Sequence, residues 1–352
     1  MRYLLSALPA AARSLTLATT LAVSTVALGG PARADDLKTV NIFVPTNNTD
    51  WKTGYELIEV ADAHGFFAKH GIKPNFTNLP WDQYTVALDS GSLDFAPFAD
   101  YAYFINVFDK GLKAHEVVSS TLPFNPQLAG DGLEVLADGP IKTAADMKGK
   151  RIGTAYPSFS GVWFAMDWLT KHGVTKDDVT IVPIPQAQLQ QVLDAGGIDA
   201  IIAYEPLNLQ LNRSGRYRQL FSTADIAGRF VLRGGTMASD KFIAEHPDLV
   251  KGYVSAIAEA ADWANDHPAE VVKLGVDRGK LDPQYLPQIY NREGKEDYSK
   301  LRWATHALND EADIAFWLKL VEDADIVPKN KYKPSDFYTN AFNPFADQHA
   351  AK

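Results

Sequence analysis

One phrase occurs twice in this chain, and it constrains the fold more than any other feature. Residues Leu88–Asp94 read LDSGSLD and residues Leu193–Asp199 read LDAGGID. Each copy closes an apolar-periodic stretch that reads as a helix. Each supplies a glycine where a helix can end in a left-handed residue. Each then runs into a short apolar stretch that reads as a strand. Helix, glycine stop and strand, used twice, predict two α/β units of related design.

The surrounding pattern supports this. Strands are expected at 39–44, 72–79, 93–98 and 114–121, with helices over 51–71, 82–90 and 100–111. A second series has strands at 133–137, 151–155, 179–184, 198–204 and 218–223, with helices over 161–173, 188–197 and 206–215. Segments 122–132 and 224–235 break the rhythm. Helices then dominate over 247–267, 269–279, 286–292 and 310–324, and the aromatic, proline-bearing end 328–345 wraps over a lobe. The β-α-β alternation predicts open, mostly parallel sheets covered by helices. In such sheets ligands bind beyond the carboxyl ends of strands. The duplicated phrase is therefore scaffold. The residues after it, PFAD (97–100) and AYEP (203–206), are candidate cleft residues.

The first residues have another purpose. Arg2 and Arg13 precede or enter a segment with no acidic residue, an apolar core runs from Leu15 to Leu28, and Ala32-Arg33-Ala34 follows. This is the pattern of a secretory signal peptide cleaved after Ala34. No later stretch approaches the ~18 apolar residues of a membrane-spanning helix. Cleavage removes three arginines and no acid from a chain whose net charge is −9. An exported acidic chain is a poor partner for nucleic acid. The chain has no cysteine, which excludes disulfides, thiol catalysis, thiolate metal sites and a lipidated cysteine. A soluble, non-lipidated periplasmic protein is expected.

Four segments in order carry a resemblance: HGFFAKHGIKPNF (64–76), ALDSGSLDFA (87–96), IKTAADMKGKRIGTAYPS (141–158) and LQQVLDAGGIDAIIAYEP (189–206). They resemble periplasmic binding proteins for nitrate, alkanesulfonates and taurine, collinearly from about Thr39 to Glu205. The resemblance implies an α/β fold of the two-lobed type II binding-protein class. Residues 1–34 would be the signal peptide, 35–121 and 232–352 lobe 1, and 122–231 lobe 2. The chain would cross between lobes near Ser120–Pro123 and Ala227–Gly234 and close on a hinge around a small molecule. The closed form would then dock, as a monomer, on an inner-membrane permease driven by a cytoplasmic ATPase. The resemblance implies no cofactor and no chemistry in the receptor itself.

Candidate ligand-binding residues carry two readings each. Ser158 and Ser160 follow a strand and start a helix, so they are either an anion seat at a helix N-terminus or an ordinary cap. The family places the ligand's acidic group at such a helix start. Glu205, before Pro206, is either a capping carboxylate or an acceptor for a ligand amine or amide. Asp100 reads first as an N-cap, with Tyr101 then able to face the cleft. Asp82 reads as an N-cap with Trp81 and Val86 as its hydrophobic staple, unless Trp81 stacks on ligand. Asn47, Asn48 and Trp51 lie in a polar loop at a strand end. Arg233 at the second crossing is either a bidentate clamp for a sulfonate or carboxylate or a structural ion pair. With Phe159 and Tyr204 the site is aromatic and has few cations, unlike a bare nitrate site. A small anionic or zwitterionic solute is expected: taurine, a larger sulfonate or an aromatic acid. A pyrimidine-type heteroaromatic vitamin precursor is the alternative.

An enzyme reading finds less support. The eight histidines are scattered singly, with no pair at metal spacing. SFSG lacks the glycines of a nucleophile elbow, and no phosphate loop appears. Enzymes exist on this fold, so a secreted enzyme remains the alternative of another class.

Overall fold

The computed structural model describes residues 37–45, 54–128, 130–204, 207–223, 228–279, 281–286, 290–291, 295 and 297–349. The expected signal peptide and Asn47, Asn48, Trp51 and Glu205 lie outside them.

Strand β1 (Lys38–Pro45) pairs in parallel with β2 (Ile72–Leu79), in register from Lys38↔Ile72 to Pro45↔Leu79. The Phe43 N–H donates to the Phe95 carbonyl at 2.9 Å, which joins β1 to β3 (Ala96–Asp100). Strand β10 (Gly234–Ser239) lies between β3 and β4 (Ala114–Val118), antiparallel to both. The first sheet thus runs β2-β1-β3-β10-β4. The second runs β7-β6-β8-β5-β9, from β5 (Gly132–Leu136), β6 (Lys150–Thr154), β7 (Val179–Pro183), β8 (Ala200–Ala203) and β9 (Tyr217–Ser222). Both have one order: second, first, third, return strand, fourth. Both are mixed, since β5 is antiparallel to β8 and β9. Four of the five strands in each sheet run one way, as the mostly parallel expectation has it, and the return strand alone opposes them. A strand that returns from the other sheet arrives from the opposite end and pairs antiparallel.

β10 escaped the sequence reading because its Gly234-Gly235 start reads as a loop. The structure shows why glycine is needed. A Cβ on Gly234 would lie 2.0 Å from the Ala99 carbonyl oxygen, and one on Gly235 1.9 Å from that of Val118. The segment 51–71 also differs. It forms α1 (Glu56–Ala63) and α2 (Phe66–Lys69), separated at Gly65, whose φ of 70° breaks the helix.

The repeated phrase has one structure in both places. Helix α3 (Tyr84–Ser90) ends at Gly91, φ 77°, and α6 (Gln186–Asp194) at Gly196, φ 71°. Gly91 N–H donates to the Leu88 carbonyl and Ser92 N–H to that of Ala87; Gly196 and Gly197 make the same pair to Leu193 and Val192. These are two Schellman stops. Each final aspartate then grips the first strand of its own sheet. Asp94 accepts from Asn41 N–H at 2.7 Å through Oδ2, and Asp199 from Arg151 N–H at 2.9 Å. Their own N–H groups donate back to Asn41 and Arg151. The phrase is a device that ends a helix and sets the register of the next strand.

The two crossings are fastened to each other. Phe124 and Val231 exchange backbone bonds at 2.9 and 3.0 Å, and Thr121 Oγ1 donates to the Gly234 carbonyl at 2.8 Å. Helix α11 (Glu311–Asp323) pins Leu232 twice. Asp313 accepts its N–H at 2.8 Å, and Trp317 Nε1 donates to its carbonyl at 2.6 Å. Asp313 and Trp317 stand one helical turn apart and so share a face. Helix α9 (Pro247–Asp266) covers the first sheet, with Tyr253 stacked 3.9 Å from Phe95.

Candidate functional site

Strand β3 carries the site's first element. Phe98 has φ 69°, a left-handed conformation costly for a bulky residue. Its ring fills the space over Gly54, where a Cβ would sit 2.1 Å from the ring. The ring also lies 5.7 Å from Tyr55, 5.4 Å from Trp81 and 4.9 Å from the Arg233 guanidinium carbon. The twist ends β3 at Asp100, from which α4 (Tyr101–Asp109) starts.

Asp100 caps α4, as the sequence reading expected: Oδ1 accepts from Tyr103 N–H at 2.7 Å. Its other oxygen accepts from Ser160 Oγ at 2.6 Å. Ser160 is the first residue of α5 (Ser160–Lys171), which follows β6 of the second sheet. One carboxylate therefore bridges the two sheets at their strand ends.

Half-buried aromatic rings gather around this bridge. Trp81, Phe98 and Tyr103 come from the first sheet's side, and Tyr156, Phe159 and Tyr204 from the second. Phe159 meets Tyr103 at 5.3 Å, Trp81 at 6.2 Å and Tyr156 at 4.9 Å. The Tyr204 hydroxyl is shielded beside the Thr154 side chain, in hydrogen-bond geometry with no described residue. It covers Gly161, where a Cβ would lie 2.6 Å from it.

The charges are uneven. Asp100 and Asp131 bring two carboxylates. Arg233 lies between Phe98 and Phe124, 4.9 Å from each ring, with Nη2 3.9 Å from Asp131. Its Nε is shielded and has no hydrogen-bond partner among the described residues. Burial pushes the Tyr84 and Tyr204 hydroxyls well up, and the Asp100 charge adds to both shifts. Behind Phe98, Glu56 accepts from Gly54 N–H at 2.6 Å and from Tyr290 Oη at 3.1 Å. Burial raises its carboxyl to about 7, against the pull of Arg233.

Several expectations are corrected. Tyr101 does not face the cleft. It is fully buried and donates to Asn309 Oδ1 at 2.5 Å, because the first helical position turns into the core. Tyr103, two residues on, takes the cleft place. Asp82 is no cap, since α3 starts at Tyr84 after Gln83. Val86 is 69% exposed, so it makes no staple with Trp81. Ser160 is not a cap either. Phe159 holds that position and Ser158 is exposed. Arg233 is placed beside Asp131, between rings.

Sequence reasoning missed Tyr103, Tyr156, Asp131 and Glu56 as members of this cluster, whereas Phe98 stands in the candidate cleft stretch PFAD. Tyr103 was findable, since an N-cap accepts from the third helical residue. The others depend on a backbone twist or a sheet-to-sheet approach with no local signature.

A model of the family described as NMT1/THI5 like matches residues 55–271. The chain belongs to that family. A putative binding protein of Brucella abortus (strain 2308) is 25% identical over 293 residues, 81% of this chain and 86% of that one. Among solved structures, the periplasmic aliphatic sulphonate binding protein SsuA from Escherichia coli superposes with a TM-score of 0.65 at 17% identity, covering 87% of this chain and 99% of that one. The periplasmic nitrate-binding protein NrtA from Synechocystis PCC 6803 gives 0.66 at 15%, covering 89% of each. The fold is the two-lobed, type II periplasmic binding protein fold, as expected. In fold the chain is similar to periplasmic sulphonate- and nitrate-binding proteins. No described helix is long and apolar enough to cross a membrane, and no described cluster of side chains could hold a metal ion.

Proposed function

We propose that this chain is the periplasmic solute receptor of an ABC importer, exported by cleavage after Ala34 and acting as a monomer. Its lobes are 35–121 with 232–352, and 122–231. It closes on a small organic solute, carries out no reaction, and delivers the solute to a membrane permease with its ATPase. The observation that carries this reading is the convergence of six half-buried rings from two sheets around the Asp100–Ser160 bridge. Such a place suits a solute with an aromatic or apolar body and a polar end. The shielded Arg233 Nε supports an acidic group on the solute, and Asp100 a donor group. Zwitterions, including taurine and aromatic amino-sulfonates, and pyrimidine-type heteroaromatics meet these demands better than nitrate. Asn47, Asn48, Trp51 and Glu205 belong to the proposed site through their place after β1 and β8.

The test is a thermal-shift screen of the exported protein against taurine, alkyl and aryl sulfonates, nitrate, aromatic carboxylates and pyrimidines. A solute at 100 times its dissociation constant adds about 2.7 kcal/mol of stability. One class should raise the melting temperature by several degrees and be recovered unchanged after incubation. A folded protein that no solute stabilises, or that converts one, overturns the receptor reading.

A further inference from the structure

We propose that Asp100 is the specificity-determining residue of this cleft: it holds the α5 end of the site for a hydrogen-bond-donating or cationic group of the solute and turns away an acidic one. The inference rests on the receptor reading above and names the chemistry of one end of its solute.

The argument starts from Ser160. As the first residue of a 12-residue helix it stands at the positive end of the helix dipole, where an anion is favoured. That demand is already met from within the chain, because Asp100 Oδ2 accepts from Ser160 Oγ at 2.6 Å. Asp100 cannot easily leave, since Oδ1 is held by Tyr103 N–H at 2.7 Å at the start of α4. A carboxylate has about four acceptor directions, and these two bonds leave others open. Asp100 is half-buried, and Tyr103 and Phe159 beside it are 5.3 Å apart. Aromatic faces next to a carboxylate attract a cation. An acidic group brought there meets a like charge in a partly desolvated cleft. Arg233, the residue before the strand that pairs with Asp100, is 3.9 Å from its own carboxylate, Asp131, and packed between two rings. The field at α5 therefore stays negative. The raised Tyr84, Tyr103 and Tyr204 hydroxyls, each pushed up mainly by burial and further by Asp100 or by both aspartates, agree with this sign.

The experiment compares two probes of similar size and opposite charge, benzylammonium and benzenesulfonate, by calorimetric titration of the full exported protein. The proposal expects the wild type to bind benzylammonium at least tenfold more tightly. Asp100→Asn keeps a good helix cap, removes the charge and turns the second acceptor oxygen into a donating amide. It should lose at least tenfold in benzylammonium affinity while benzenesulfonate binding holds or tightens. Ser160→Ala keeps the charge and should keep the preference, although α5 loses its bridge. Circular dichroism melting verifies that both variants fold. A wild type that prefers benzenesulfonate, or that binds neither probe at millimolar concentration, overturns the proposal, as does Asp100→Asn with an unchanged preference. Any of these results alongside a solute found in the broader screen leaves the receptor reading standing.

Discussion

Strands β10 and β5 hold the same place in their sheets, each the return strand between the third and the fourth, yet they are enclosed differently. Around β10, a side chain at Gly234 or Gly235 would meet backbone on both flanks, 2.0 Å from Ala99 O and 1.9 Å from Val118 O. Around β5, a side chain at Gly132 would first meet the Gln219 side chain, 2.2 Å from its Nε2. The first sheet is closed by backbone that cannot give way, and the second by a side chain that can swing aside. Same topology does not mean same tolerance. β10 also leads straight out of the second crossing, with Arg233 immediately before it.

The largest predicted effect tests this difference. Gly235→Ala should cost about 3 kcal/mol in urea unfolding, because overpacking against backbone has no cheap relief. Gly132→Ala should cost about 1 kcal/mol, mostly the displaced Gln219 bonds to Glu134 and Gly130. Equal costs would break the comparison.

The next effect is one of pH, and each lobe has its own probe. Burial raises Glu56 in the first lobe and Glu134 in the second from 4.5 to about 7. Each folded-state carboxyl takes up its proton at higher pH than the unfolded chain does. Each therefore leaves stability untouched below about 4.5, lowers it as pH rises toward 7, and levels off above. Glu134→Gln should raise stability by roughly 3 kcal/mol at pH 8 and leave it unchanged at pH 4. Glu56→Gln should show the same sign and also alter solute binding, since Glu56 lies behind Phe98 and is coupled to Arg233. Melting curves from pH 4 to 9, with and without solute, separate the two.

The third prediction opposes two tyrosines on one helix turn. Tyr103→Ala should weaken solute binding about tenfold, with a small loss of stability, through the lost aromatic face. Tyr101→Phe should leave binding unchanged and cost about 1 kcal/mol of stability, by stranding the buried Asn309 acceptor. The reverse outcome would place the wrong side of α4 in the cleft.

The smallest effect compares the two copies of the repeated phrase. Asp94→Ala and Asp199→Ala each remove a side-chain grip on the first strand of a sheet. Each should cost about 1 kcal/mol, Asp94 the more, because half-burial leaves less water to replace the lost bond to Asn41. A negligible loss at both positions would make the phrase a helix stop only.

Much was readable along the chain because it is written in short-range physics. The glycine stops at Gly91 and Gly196 need only a residue free to adopt positive φ after an apolar run. The span of β2, 72–79, was placed residue for residue by its flanking glycine and proline. The N-cap at Asp100 follows from a short carboxylate before a helical pattern. These features depend on neighbours within a few positions, so the sequence by itself determined two α/β units, their order and the repeated device that ends a helix in each. What joins those units depends on residues far apart in the chain. The antiparallel β10 is held by the backbones of β3 and β4. The left-handed Phe98 is tolerated because Gly54 leaves room for its ring. The Asp100–Ser160 bridge spans 60 positions. No local pattern encodes such approaches, and only tertiary packing decided that Tyr103 rather than Tyr101 meets the cleft, and that the chain's own carboxylate stands where an acidic ligand was expected.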